Sequence, residues 1–139
     1  MLFDAKAAEK EFEKVQDSGQ RRTFPTGSVR DVRTGKGRFD LLDPVVLLRD
    51  ARHMENGAAK YGDRNWEKGQ PVSVYYDSAM RHLMAFWSGK GDEDHLAAAR
   101  WNIGCIISTM DRIRRGMIDP AMMDHPAPSV VAATVSPKS

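Results

Sequence analysis

Cysteine is almost missing from this chain. Cys105 is the only one, and it sits in the apolar run 103–107. A lone thiol excludes a disulfide framework and a zinc site built on cysteines. It reads as a buried core thiol in a reducing, cytoplasmic setting. Long apolar runs are missing too, and nothing approaches the length that spans a bilayer, so no membrane association is expected. The opening residues are charged from Asp4 onward and do not read as a signal peptide. Charge of one sign is scarce. With 21 basic and 19 acidic side chains the balance is +2, too little to argue for nucleic acid. No glycine–x4–Gly-Lys-Ser/Thr string occurs, so a Walker-type phosphate loop is excluded. No convincing strand pair is visible.

Helical signals fill the space left by these absences. At 139 residues, 41% hydrophobic and 29% charged, the chain has the make-up of one globular domain with a core. Residues 3–16 are rich in helix formers, with Phe3, Phe12 and Val15 on one stripe, and Ser18-Gly19 stops them. Residues 20–43 are irregular, basic and glycine-containing. Lys36-Gly37-Arg38 is the triplet best suited to meet phosphate there. Asp43-Pro44 opens a second helix, as N-cap and first position, which ends near Tyr61-Gly62. GDRNWEKGQP follows as a polar turn around Trp66. Ser73 reads as the cap of a third helix to Trp87, with the apolar stripe Tyr76, Met80, Leu83 or Met84, and Trp87. Asp92 reads as the cap of a fourth, ending at Gly116, with Leu96, Ala99, Ile103, Ile106 or Ile107, Met110 and Ile113 facing the core. Short connections between helices predict an all-α bundle of about four. The organisation expected is an N-terminal helix (1–19), an all-α domain (20–120) and a flexible Pro/Ser/Ala-rich tail (121–139).

The chemistry concentrates between His53 and Asn102. Three helices each bring a carboxylate: Glu55, Asp77 and Asp94. Carboxylate oxygens from facing helices are how bundles hold divalent metals, and an oxygen-rich set favours Mg²⁺ or Mn²⁺. Asp94 reads equally as a helix cap, since an acid suits a first turn, and Glu93 reads as solvated. His53 and Glu55 stand at i, i+2 and do not share a face, and Glu55 is the ligand of the two. His82 and His95 read either as satisfied core imidazoles or as acid–base groups. Asn102 sits mid-helix, where asparagine is disfavoured, which points to a side-chain role.

ENGAAKYGDRNWEKG (55–69), DSAMRHL (77–83) and DEDHLAAARWN (92–102), with GKGRFDLLDP (35–44), resemble the phage dATP/dGTP diphosphohydrolases, MazZ-like proteins similar in activity to the all-α MazG pyrophosphohydrolases. The resemblance covers about residues 26–110. It implies a MazG-like fold and hydrolysis of a purine deoxynucleoside triphosphate, dGTP or dATP, to monophosphate and pyrophosphate. The setting implied is phage nucleotide-pool remodelling for 2-aminoadenine DNA, with a homo-oligomer, dimer or tetramer. The Glu-Glu-x-x-Glu and Glu-x-x-Asp strings of MazG enzymes are absent, so the roles rest on chemistry. Glu55, Asp77 and Asp94 would hold metal. His82 or His95 would carry the proton. Lys36, Arg38, Lys60, Arg64 and Arg81 would hold phosphates. Asn65 and Asn102 would contact the purine or the outer shell, and Trp66 would stack on the base. Two other classes stay open. One is a His-Asp phosphohydrolase, although Asp94-His95 runs in the reverse order. The other is a non-catalytic helical binding module.

Overall fold

The computed structural model describes residues 17–126, and the chain divides into two units between Leu41 and Leu42. The first is a small hairpin unit. Strand β1 (Arg21–Thr23) pairs antiparallel with β2 (Val29–Asp31), Arg22 opposite Arg30. Pro25 presets the first corner of the turn. Gly27 takes φ 86°, a conformation that a β-carbon disfavours. This strand pair was not legible in the sequence, because three residues are too few to display alternation. Asp31 is its hub. Its carboxylate accepts from Lys36 Nζ at 2.8 Å and from the Ser18 hydroxyl and amide. Those bonds hold its pKa far below the usual carboxylate range, Lys36 contributing most.

The second unit carries three helices: α1 (Pro44–Tyr61), α2 (Val72–Trp87) and α3 (His95–Arg114). With the expected N-terminal helix lying outside the described residues, they are the other three of the mostly helical fold. No helix among the described residues is long and apolar enough to cross a membrane. Asp43 caps α1 by accepting from the Val45 amide, as its sequence position predicts. The other two caps differ from expectation. α2 begins at Val72, and the Ser73 amide and hydroxyl donate to Asp124 instead of Ser73 capping the helix itself. Asp94, not Asp92, caps α3, taking the Ala97 amide at 3.0 Å. Residues 92–94 are therefore loop and not helix.

The two long helices meet along a seam of small and polar residues. From α2 come Val72, Tyr75 and Ala79. From α3 come His95, Ala98, Asn102, Cys105 and Thr109, spaced by three and four. Alanines at 97–99 let the backbones approach closely, and Tyr75, 1% exposed, fills the middle. The apolar stripe expected on α2 stands outside in the single chain, with Met84 67% and Trp87 88% exposed. The α3 stripe is split: Ala99 is buried and Leu96, Ile106, Met110 and Ile113 are partly buried, whereas Ile103 and Ile107 are exposed. Helix α1 buries none of its residues. It is tied to α3 by the ion pairs Arg49–Asp94 and Asp50–Arg100, and by Trp101. That indole stacks tilted against His53, meets Tyr75 edge-on, and points its N–H at the Met54 sulfur.

After α3 the chain returns to the start of α2. Ile118 packs under Gly69, where a β-carbon would lie 2.9 Å from its Cδ1. Gly69 also has φ 85°, so no other residue fits that corner.

Candidate active site

A cleft of about 830 Å³ opens between α1, the turn after it, and the facing parts of α2 and α3. Its α1 wall is a polar stripe. Arg49, Arg52, His53, Asn56 and Lys60 repeat at the spacing of one helical face. The turn adds Arg64, Asn65 and Trp66, and the opposite wall adds His82, Glu93, Asp94, Trp101 and Asn102. Arg64 has φ 59°, a left-handed conformation rare for a residue with a β-carbon. Such backbone costs about 1–3 kcal/mol and collects where a site demands it. Here it turns the chain into the short 3-10 helix Asn65–Lys68, which sets Asn65 and Trp66 on the rim. The Arg112 guanidinium lies 5.3 Å above the Trp66 ring on a neighbouring side. Trp66 and Trp101 also line a smaller, mainly apolar cavity of about 290 Å³ with Asp50, Met54, Arg100 and Cys105.

At one wall of the cleft, two imidazoles and a carboxylate converge. His82 Nδ1 and His95 Nδ1 lie 3.0 Å apart. Glu93 Oε1 is 3.2 Å from the first and 3.3 Å from the second. The far nitrogen of His95 faces Asp92 Oδ1 at 2.8 Å. His95 is buried and Glu93 is half-exposed. These three ligand-bearing residues could hold a divalent cation. Asp92 is kept below its usual pKa, chiefly by His95. In the same cleft, His53 has its pKa lowered, first by burial and then by His82. It therefore stands as neutral imidazole near pH 7.

The residues singled out in the sequence fall into three groups. Lys60, Arg64, Asn65, Trp66, His82, Asp94 and Asn102 line the cleft, and His95 stands behind His82. Glu55, Asp77 and Arg81 are not among the lining residues. Asp77 and Arg81 pair with each other on an exposed face of α2, and Glu55 is exposed on α1, off the polar stripe. Lys36 and Arg38 belong to the hairpin unit, where Asp31 and Asp40 engage them. Asp94 is occupied on both oxygens. Arg49 grips it in a fork and the Ala97 amide donates to it, lowering its pKa to about 2. It caps α3 and anchors α1, so the three carboxylates Glu55, Asp77 and Asp94 do not converge. Asn102 donates its amide nitrogen to the Ala98 carbonyl.

Arg49, Arg52 and Trp101 were not singled out in the sequence, His53 was set aside for Glu55, Glu93 read as solvated and Asp92 as a cap. The i, i+3, i+4 spacing of Arg49, Arg52 and His53 was a usable signal. Glu93 was not recoverable. Counted as helical it points to solvent, but in the loop ahead of α3 it turns back between the histidines.

The protein defined by this arrangement is a helical one with a polar, nucleotide-sized cleft of mixed charge. The family model described as dATP/dGTP diphosphohydrolase, N-terminal, matches residues 26–119. The chain belongs to that family, which places it among the nucleotide diphosphohydrolases and makes it a hydrolase. No curated protein and no solved structure matched the chain.

Proposed function

We propose that the chain hydrolyses a purine deoxynucleoside triphosphate, dATP or dGTP, by breaking the bond between its α- and β-phosphates, and that it depends on a divalent ion. The observation carrying this reading is the cleft itself. Arg52, Lys60 and Arg64 face two indole rings and the His82–Glu93–His95 cluster across one nucleotide-sized volume. Arg52 and Lys60 take the triphosphate oxygens, with Arg64, paired to Glu67 at 2.7 Å, beside them, and their charge grows in value as negative charge moves onto the leaving pyrophosphate. Arg49 is spoken for by Asp94 and acts on α1 instead. Trp66 stacks on the base, and Asn65 beside it offers a donor and an acceptor to the purine edge. A divalent ion at the cluster would supply charge neutralisation and a more acidic water. His53 accepts the proton of the attacking water, since burial leaves it neutral.

In this reading the working unit is a homo-oligomer. Tyr76, Met80, Met84 and Trp87 make an exposed apolar stripe on α2, and Ile103 and Ile107 another on α3. Stripes of that kind mark interaction surfaces, and a second copy brings the same stripe to meet each one under two-fold symmetry. The setting is a reducing cytoplasm, supported by the single free thiol of Cys105. A role in remodelling a phage purine pool, for 2-aminoadenine DNA, rests on the resemblance of residues 35–102.

The test is product identity. Purified chain with dATP, dGTP, dCTP and dTTP, each with Mn²⁺ or Mg²⁺, should release pyrophosphate and monophosphate from the purines. Tripolyphosphate as product, or no turnover of any nucleotide, would overturn the reading.

A further inference from the structure

We infer that His82, Glu93 and His95 form a transition-metal centre that discriminates against magnesium, with Asp92 as the group that orients it. The inference deepens the proposed activity by naming the class of ion at that site. It starts from a shortage of protons. If neutral His95 donates from Nε2 to Asp92, its Nδ1 presents a lone pair. Glu93 Oε1 is an acceptor as well. Only His82 Nδ1 remains to supply a proton, and one proton cannot satisfy three contacts of 3.0, 3.2 and 3.3 Å. A cation at the centre satisfies all three.

The spacing fits such a cation. Ligands about 2.1 Å from an ion lie about 3.0 Å apart in an octahedron and about 3.4 Å apart in a tetrahedron. The three observed edges fall within that interval. The donor set selects the ion. Imidazole nitrogens suit zinc, copper, iron and nickel, whereas magnesium wants oxygen. Two nitrogens and one oxygen therefore move the expectation away from the Mg²⁺ that an all-carboxylate set would favour. Asp92 completes the arrangement. A carboxylate on the far nitrogen of a ligating histidine fixes its tautomer and ring angle. The sequence supplies that carboxylate three residues before His95, in the loop that also delivers Glu93.

The experiment uses the full chain, stripped with chelator, and metal alone without nucleotide. Co²⁺ is titrated while visible absorption is followed, and Zn²⁺, Mn²⁺ and Mg²⁺ are titrated by calorimetry. One equivalent of Co²⁺ should bind with d–d bands, displaced by Zn²⁺, and Mg²⁺ should bind at least about a hundredfold more weakly. Glu93→Gln and His82→Ala should abolish the bands. Asp92→Asn should retain them with affinity reduced by about 10–100-fold. Asp77→Asn should titrate as the unchanged chain does. Glu93 is half-exposed, so Glu93→Gln should melt where the stripped chain melts, and it keeps the test valid if substitution at buried His95 prevents folding. Absence of stoichiometric Co²⁺ binding, equal Mg²⁺ affinity, or Glu93→Gln binding like the unchanged chain would overturn the centre and leave a proton-sharing histidine pair. A chain that releases pyrophosphate yet fails these titrations sinks the centre alone. A chain that passes them but releases no pyrophosphate sinks the activity alone.

Discussion

The inside and the outside of the α2–α3 pair reverse the usual distribution of residues. Inside are alanines, Asn102, Cys105, Thr109 and His95, with one large ring, Tyr75. Outside are Tyr76, Met80, Met84, Trp87, Ile103 and Ile107. A seam of small residues gives little area to bury, but it brings the helix axes close and holds His82 against His95. The outer stripes keep large apolar side chains exposed among the described residues. Position is thus fixed by the seam, while the larger apolar area lies outside it.

The contrast can be broken most forcefully at its centre. Tyr75→Ala removes the largest fully buried side chain and should cost about 3–5 kcal/mol in urea unfolding. A loss below about 1 kcal/mol would mean that the seam is not the principal core. The outer face is tested by Met84→Lys with Trp87→Lys. If these are interface anchors, at about 2 kcal/mol or more each, sedimentation should show dissociation into folded monomers at micromolar concentration. Unchanged chain that is already monomeric there would refute the assembly.

Alkaline pH should weaken the inside and spare the outside. Burial pushes the Cys105 thiol from its ordinary 9.0 to about 12, and the Tyr75 hydroxyl from 10.0 to about 12. Below about pH 8 both groups are neutral, folded or unfolded, and their contribution is intact. Above it the unfolded chain releases protons that the folded chain retains, so stability falls until pH passes about 12. The loss should reach about 4 kcal/mol at most by pH 11, and Cys105→Ala should remove part of the slope. A flat profile from pH 8 to 11 would contradict the burial. Trp66→Ala probes the cleft rim, which belongs to neither face of the α2–α3 pair. Loss of a stacking platform should weaken nucleotide binding by about 1–3 kcal/mol with Co²⁺ titration unchanged; a fall of about 3–5 kcal/mol in stability would instead make it a core residue. Smallest is Tyr75→Phe. The hydroxyl is buried with no hydrogen-bond partner among the described residues, so its removal should change stability by less than about 1 kcal/mol, toward gain. A clear loss would point to a bound water on that oxygen.

How much of this was legible in the sequence follows from the same contrast. The three helices were readable from periodicity and turn residues, and the Asp43-Pro44 start came out as written, while the starts expected after Ser73 and Asp92 lie at Val72 and His95. Periodicity locates an apolar stripe but does not say what the stripe faces. Met80 and Trp87 were therefore assigned to an interior that Ala79 and Tyr75 occupy. Small and polar seam residues such as Ala98 and Asn102 carry almost no hydrophobic signal. Of the stretch singled out in the sequence, Lys60, Arg64, Asn65, Trp66 and His82 line one cleft. The ligand set was not legible, because a start two residues later for α3 turns Glu93 from solvent toward the histidines. Lys36 and Arg38 looked available only because their partners, Asp31 and Asp40, lie two to five residues away in irregular chain.

The bond from Ser73 to Asp124 has a consequence for the order in which the chain can fold. Those residues are separated by 51 positions. The first turn of α2 receives its carboxylate only after α3 and the segment beyond it have been made. A ribosome extends the chain from its N-terminal end, so α2 and most of α3 emerge while the Ser73 amide still faces water. The closing stretch that ends at Asp124 acts as a clasp fastened last, and until then the helix carrying His82 has an open end.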